Sequence, residues 1–145
     1  MFRGEFRHQL DAKNRLRIPA KLRAELGEQF VVYRGGGGGL FVFPQKQEER
    51  IAQAIANVPL SDAEAQNAIR EWSASSADVE NDDQGRCLIP QNLRDYAKID
   101  KNIVIAGAGT RIEIWSEQAW DNRTPGSYVL TDFDKLLTAL SKYGI

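Results

Sequence analysis

A single cysteine, Cys87, and a single histidine, His8, stand among the 145 residues. One thiol cannot staple a chain to itself, and no Cys/His cluster offers a metal cage, so neither a disulfide scaffold nor a zinc module is expected. Uninterrupted apolar stretches are short. None approaches the ~20 residues that span a bilayer, which argues against a membrane partner. The opening MFRGEFRHQL turns polar at Arg3 and lacks the apolar centre of a signal peptide. A cytoplasmic protein is the default expectation. No nucleophile–base pair, paired carboxylates at an evident cleft or metal-ligand spacing marks an enzyme, so no cofactor and no small-molecule substrate are expected. Net charge is nearly absent too. It is −1, from 19 Lys+Arg against 20 Asp+Glu, and as an average it argues against nucleic acid.

What is present is a word written twice. DAKNRLRIPAKLR runs from Asp11 to Arg23, and DDQGRCLIPQNLR runs from Asp82 to Arg94. The copies share Asp first, Arg fifth, Ile-Pro eighth and ninth, and Leu-Arg at the end. They are in register, since 82 − 11 and 90 − 19 both give 71. The same offset is expected to reach the following strands, pairing Phe41 with Ile112 and Phe43 with Ile114. Two copies are too few for a solenoid, but they suit one α+β fold with internal two-fold pseudosymmetry around a β-barrel-like core. The apolar content of 42% and charged content of 27% suffice for such a core.

The copies differ in charge. Residues 1–23 hold Arg3, Arg7, Lys13, Arg15, Arg17, Lys21 and Arg23 against Glu5 and Asp11. Residues 78–100 hold Arg86, Arg94 and Lys98 against Asp78, Glu80, Asp82, Asp83, Asp95 and Asp100. One copy is basic and the other acidic, so a shared fold need not mean an equal share of the work. A charge run is ordinarily a solvated face. The concentration over one short turn and helix shifts the expectation toward phosphate contact.

Each half reads as strand, turn, strand, short helix, strand, Gly-rich turn, strand. EFRHQL alternates Phe6, His8 and Leu10 against polar neighbours, as a half-buried strand does. Asp11 and Asp82 suit turn starts, because an Asp side chain bonds nearby backbone N–H groups. Asn14 and Gly85 share the slot that best tolerates positive φ. Pro19 and Pro90 sit where a helix can begin. Leu22 and Leu26 give a short helix an apolar face that Gly27 can close, and Leu93 and Ala97 play those parts in the second copy.

Between the copies, 44–58 reads as a helix with Ile51, Ile55 and Val58 on one side, broken by Pro59. Ser61–Glu64, SDAE, is a capping-box pattern opening a second helix with Ala65, Ala68, Ile69 and Trp72 on its apolar face. SEQAW opens another helix at Ser116, NRTPGS (122–127) is a linker, and a last amphipathic helix starts near Thr131 with Phe133, Leu136, Leu137, Leu140 and Tyr143. Four units result: residues 1–50, a connecting pair of helices at 51–76, residues 77–121, and a tail at 122–145.

RGGGGGLF at 34–41 is not a phosphate loop. That needs Gly-Lys-Ser/Thr and then a helix, whereas an apolar strand follows here. A hairpin turn is expected, with room for close approach by a neighbouring subunit. His8 and Cys87 read as packed residues, as do Trp72, Trp115 and Trp120.

The doubled D-x-x-x-R element, each copy followed by IP and LR, resembles the MraZ family, as do MFRGEF at the start and IEIW closing the second copy. The resemblance covers roughly residues 1–121. It implies two tandem SpoVT-AbrB swapped-hairpin elements with peripheral helices. It also implies a nucleoid-associated transcriptional regulator that forms ring homo-oligomers. Such a regulator binds short G-rich direct repeats in double-stranded DNA, upstream of its own division and cell-wall gene cluster. The family's D-x-x-x-R arginine, here Arg15 and Arg86, is implied to touch DNA, although acidic neighbours surround Arg86. Asn14 stands where the family often has Gly. The chemistry agrees with the resemblance: an arginine fork can bond guanine O6 and N7 together. Lys13, Arg17, Lys21 and Arg23 would meet phosphates. Asp11, Asn14, Asp82 and Gly85 would shape the turns, with Asp11 orienting Arg15 or simply pairing with it. A protein-binding module of the same hairpin type, as in AbrB-related antitoxins, is the alternative.

Overall fold

The computed structural model describes residues 1–123 and 132–145, so the linker expected at 122–127 and the helix start at Thr131 lie mostly outside them. The first half contains β1 (Glu5–Gln9), β2 (Arg15–Arg17), α1 (Ala20–Leu26), β3 (Gln29–Arg34) and β4 (Leu40–Pro44). Helices α2 (Gln45–Ala56) and α3 (Ala63–Ser75) follow. The second half repeats the order with β5 (Ala77–Glu80), β6 (Arg86–Leu88), α4 (Gln91–Tyr96), β7 (Asn102–Gly107), β8 (Ile112–Ser116) and α5 (Glu117–Asn122). The tail forms α6 (Asp132–Thr138) and a 3₁₀ turn at Ser141–Tyr143.

The halves interlock. β1 pairs with β7 of the other half, β5 with β3, β2 with β6 and β4 with β8, all antiparallel. Each half also keeps its own hairpin, β3–β4 or β7–β8. Exchanging the halves swaps β1–β7 with β5–β3 and β3–β4 with β7–β8 and maps β2–β6 and β4–β8 onto themselves, as an internal two-fold requires. The architecture is α+β, but the pairing does not close a barrel. Six strands run in line as β1-β7-β8-β4-β3-β5, and β2-β6 stands apart as a ribbon. The ribbon strands are three residues long, and Pro19 and Pro90 follow one residue beyond. A proline has no N–H for a ladder, so the ribbon cannot lengthen into the sheet.

Alternation along the strands splits the core between two faces. Phe30, Val32, Leu40, Val42, Ile103, Ile105, Ile112 and Ile114 meet Leu16, Ile18, Cys87 and Ile89 from the ribbon segment, with Leu22, Leu26, Leu93 and Ala97 from α1 and α4. Val31, Tyr33 and Phe43 face the other way, against Ile51, Val58, Ala65, Ala68 and Trp72 of the connecting helices and Leu140 of the tail. The tail thus packs on its own chain.

The strict repeat offset fails after the helices. Burial matches Phe30 with Ile103, an offset of 73, and Leu40 with Ile112, an offset of 72. Phe41 therefore corresponds to Glu113 rather than Ile112, and Phe43 to Trp115. The second half inserts two residues after α4, where Lys98 takes φ 54°. It then shortens the following turn by one.

One further expectation is revised. Asp62, not Ser61, caps α3, its side chain accepting from Ala65 N at 3.1 Å. The Gly-rich turn is approached by the chain's own Trp115. A β-carbon at Gly39 would lie 2.5 Å from the indole Cε2, and one at Gly37 2.9 Å from Cη2.

Candidate nucleic-acid interface

The two copies of the repeated word meet on the β2–β6 ribbon. Arg15 lies opposite Leu88, Leu16 opposite Cys87, and Arg17 opposite Arg86. Period-two alternation buries Leu16 and Cys87 and turns the other four outward. Like charges directly opposite are destabilising on their own. Arg17 facing Arg86 sets two guanidinium side chains next to each other on the outer face, with Asp11 and Asp82 beside Arg86.

Both turns at the ribbon ends are organised by their first residue. Asp11 N donates to Arg15 O at 2.9 Å, and Asn14 N donates to Asp11 O at 3.0 Å. Asp11 Oδ1 accepts from the backbone N–H groups of Lys13 and Arg15, both at 2.9 Å, while Oδ2 accepts from Arg15 Nε at 2.9 Å. One carboxylate thus shapes the turn and aims the arginine. Asp82 does the same for its backbone: Oδ1 accepts from Gln84 N at 2.8 Å and Arg86 N at 2.9 Å. Asn14 and Gly85 both take left-handed geometry, φ 62° and 75°.

Arg86 is held less firmly than Arg15. Its Nε lies 3.4 Å from Asp82 Oδ2 without hydrogen-bond geometry, and it finds no acceptor. Its Nη1 lies 4.0 Å from Asp11 Oδ2, so Asp11 is shared between the arginines of both copies. Donation from the Arg15 backbone N–H, foremost, holds the Asp11 carboxyl below the usual carboxylate range, helped by Lys13 N and the Arg15 guanidinium. Asp82 is lowered in the same way, first by Arg86 N. Burial, and secondarily the Asp82 charge, pushes the Cys87 thiol up to about 12, which keeps it a neutral packing group.

Of the remaining candidates, Lys13, Arg17 and Lys21 are exposed, and Arg23 is half-buried on α1. Arg7 is withdrawn from the basic set. Its guanidinium binds Asp121 through two contacts, 3.1 and 2.8 Å, and sits 3.6 Å from both Glu5 and Glu117. Sequence reasoning missed Leu88, a half-exposed apolar residue beside Arg15 on the outer face. The alternation in CLI could have found it, since Cys87 and Ile89 are the inward pair. It also treated Arg15 and Arg86 as separate loops, because nothing in a linear word shows that two copies pair with each other. Among the described residues, no group of three or more His, Cys, Asp or Glu is placed to hold a metal ion. None of their helices is long and apolar enough to cross a membrane.

Fold and site together define a class: an internally duplicated α+β protein whose halves cross-pair into a ribbon carrying two Asp-anchored arginine turns. Comparison with known proteins gives the family. A family model described as "MraZ protein, putative antitoxin-like" matches residues 1–71 and 74–124. A protein of Carboxydothermus hydrogenoformans named Transcriptional regulator MraZ is 48% identical over 127 residues, 88% of this chain and 89% of its own. Another of that name, from Desulforamulus reducens, is 44% identical over 83% of this chain and 85% of its own. One from Clostridium beijerinckii is 39% identical over the full length of both. The chain belongs to the MraZ family.

Proposed function

We propose that this protein is a sequence-specific DNA-binding regulator of transcription; its relatives are named transcriptional regulators. The observation that carries the reading is the ribbon itself. Residues 11–23 and 82–88 hold Lys13, Arg15, Arg17, Lys21, Arg23 and Arg86 against Asp11, Asp82 and Asp83, a local excess of cations in a chain of net charge −1. Arg15 and Arg86 read guanine through O6 and N7, each worth ~1–3 kcal/mol of base discrimination. Lys13, Arg17, Lys21 and Arg23 meet phosphates and set position.

The finer reading is that ribbon and turns form an AbrB-type swapped-hairpin element. Ring homo-oligomers of the chain present several such ribbons to short G-rich direct repeats upstream of a division and cell-wall gene cluster. Neighbouring copies then raise avidity by ~10²–10⁴ without new kinds of contact. Binding is measured by gel shift over a salt series. One duplex carries the sequence upstream of this protein's own reading frame, and a mixed-sequence duplex of equal length is the control. The wild type prefers the upstream duplex, and Arg15→Ala and Arg86→Ala reduce that preference. Equal binding of Arg15→Ala and wild type at all salt concentrations overturns direct readout. A monomer by light scattering at working concentration removes the basis for avidity.

A further inference from the structure

The two turns differ at one structurally decisive position, Asn14 in the first and Gly85 in the second. A β-carbon at Gly85 would lie 2.3 Å from Arg23 Nη1 and 3.4 Å from its Cζ. The guanidinium of Arg23, carried on α1 of the first half, therefore lies against the bare backbone of the second half's turn. No hydrogen bond or ion pair engages it among the described residues. Arg94 holds the matching position on α4, and it turns elsewhere: its Nε donates to Ile89 O at 2.9 Å. By the internal two-fold, Arg94 stands to the Asn14 turn as Arg23 stands to the Gly85 turn.

We infer that Gly85 is a seat for Arg23, through which the basic first half supplies the acidic second turn with a phosphate-binding cation. Asn14 fills the corresponding seat and sends Arg94 back to its own chain. The physical logic is local. Asp82 and Asp83 on the second turn repel phosphate, and an unpaired guanidinium lying on that turn offsets them. In Arg94 the Ile89 carbonyl takes the Nε–H and ties the guanidinium to its own chain, whereas no such bond holds Arg23 among the described residues. Both residue types accept left-handed backbone, so the Gly/Asn choice decides the side-chain seat rather than the turn shape. Arg23 is thus a positioning and affinity residue of the second turn, although the sequence places it in the first copy. This rests on the DNA-binding reading.

The test compares Arg23→Ala, Gly85→Asn and their combination with wild type, on the upstream and mixed-sequence duplexes across a salt series. A phosphate contact is blind to sequence. Arg23→Ala should therefore weaken both duplexes by the same factor and flatten the log–log salt slope by about one for each copy engaged. Gly85→Asn should do the same by displacing the guanidinium, and the double variant should lose no more than Arg23→Ala alone. Asn14→Gly should open the other seat and steepen the slope, a gain that Arg94→Ala removes. Wild-type binding by Arg23→Ala, or by folded Gly85→Asn, overturns the inference, as do losses that add in the double variant. Should Gly85→Asn fail to fold, a lack of gain in Asn14→Gly overturns it instead. Arg15→Ala separates the two readings. If it too is without effect and wild type shows no preference between duplexes, DNA readout itself fails, whereas loss with Arg15→Ala alone sinks only the seat.

Discussion

At the scale of the residue, Asp11 does three things with two oxygens: it closes a turn, aims Arg15 and approaches Arg86. Replacing it by Asn keeps the Oδ1 acceptor for the backbone but loses the charge that holds the guanidinium. Asp11→Asn should therefore lower the preference for the upstream duplex while leaving salt-dependent binding to mixed sequence nearly intact, read from the ratio of the two affinities. A stability signature accompanies this. The folded-state carboxyl titrates below the unfolded value of ~3.9. Its stabilisation is thus fully present above that value and is lost as pH falls through the depressed one. Melting temperature against pH should show Asp11→Asn below wild type at neutrality, with the gap closing in acid. A gap of constant size down to pH ~2 would mean the carboxylate is not what holds the turn. Asp62 repeats this economy at the tail. Lys142 Nζ lies 2.8 Å away, Tyr143 Oη donates to it, and these bonds with the α3 cap hold its carboxyl near 2.

At the scale of the element, the ribbon is short and relies on what it buries. Leu16, with its neighbour Ile18, faces the same cluster as the sheet's Ile105 and Ile114. Leu16→Ala should cost ~2–5 kcal/mol, a drop in melting temperature of roughly 5–15 °C by calorimetry. Leu60, 88% exposed in the α2–α3 turn, should change stability by less than ~0.5 kcal/mol when made Ala. If both variants melt alike, the ribbon is not fastened through Leu16. The same elements show where sequence reading succeeds and stops. Asp and proline positions repeat, and Asn14 answers Gly85, because turn chemistry is local, so turns and short helices were legible as a doubled unit. The pairing of β1 with β7 was not, since β1 alternates while β7 is a continuous apolar run that many partner strands would fit. The offset slip hid for a related reason. Phe41 over Ile112 is as good an apolar match as Leu40 over Ile112, and only burial separates them. A capping pattern one residue early is a smaller case, because Ser61 and Asp62 are both good caps and only the chain's path chooses.

At the scale of the whole molecule, cross-pairing turns two modest turns into one site. Had the copies been independent, the acidic one would be a poor binder beside the basic one. Instead Arg17 lies opposite Arg86, and Asp11 lies between the arginines of both turns. Residues sharing a partner do not act additively, and couplings of ~0.5–3 kcal/mol are usual for such neighbours. Arg15→Ala frees Asp11 to draw Arg86 inward, so the single variant should already impair the second turn. The combined Arg15→Ala, Arg86→Ala variant should then lose clearly less affinity for the upstream duplex than the two single losses multiplied together. Independent effects in this cycle, measured at one fixed salt concentration, would mean that the halves share a sheet but not a binding surface. Sub-multiplicative loss would make the internal duplication a way of building one recognition element from two words, neither of which holds the whole of it.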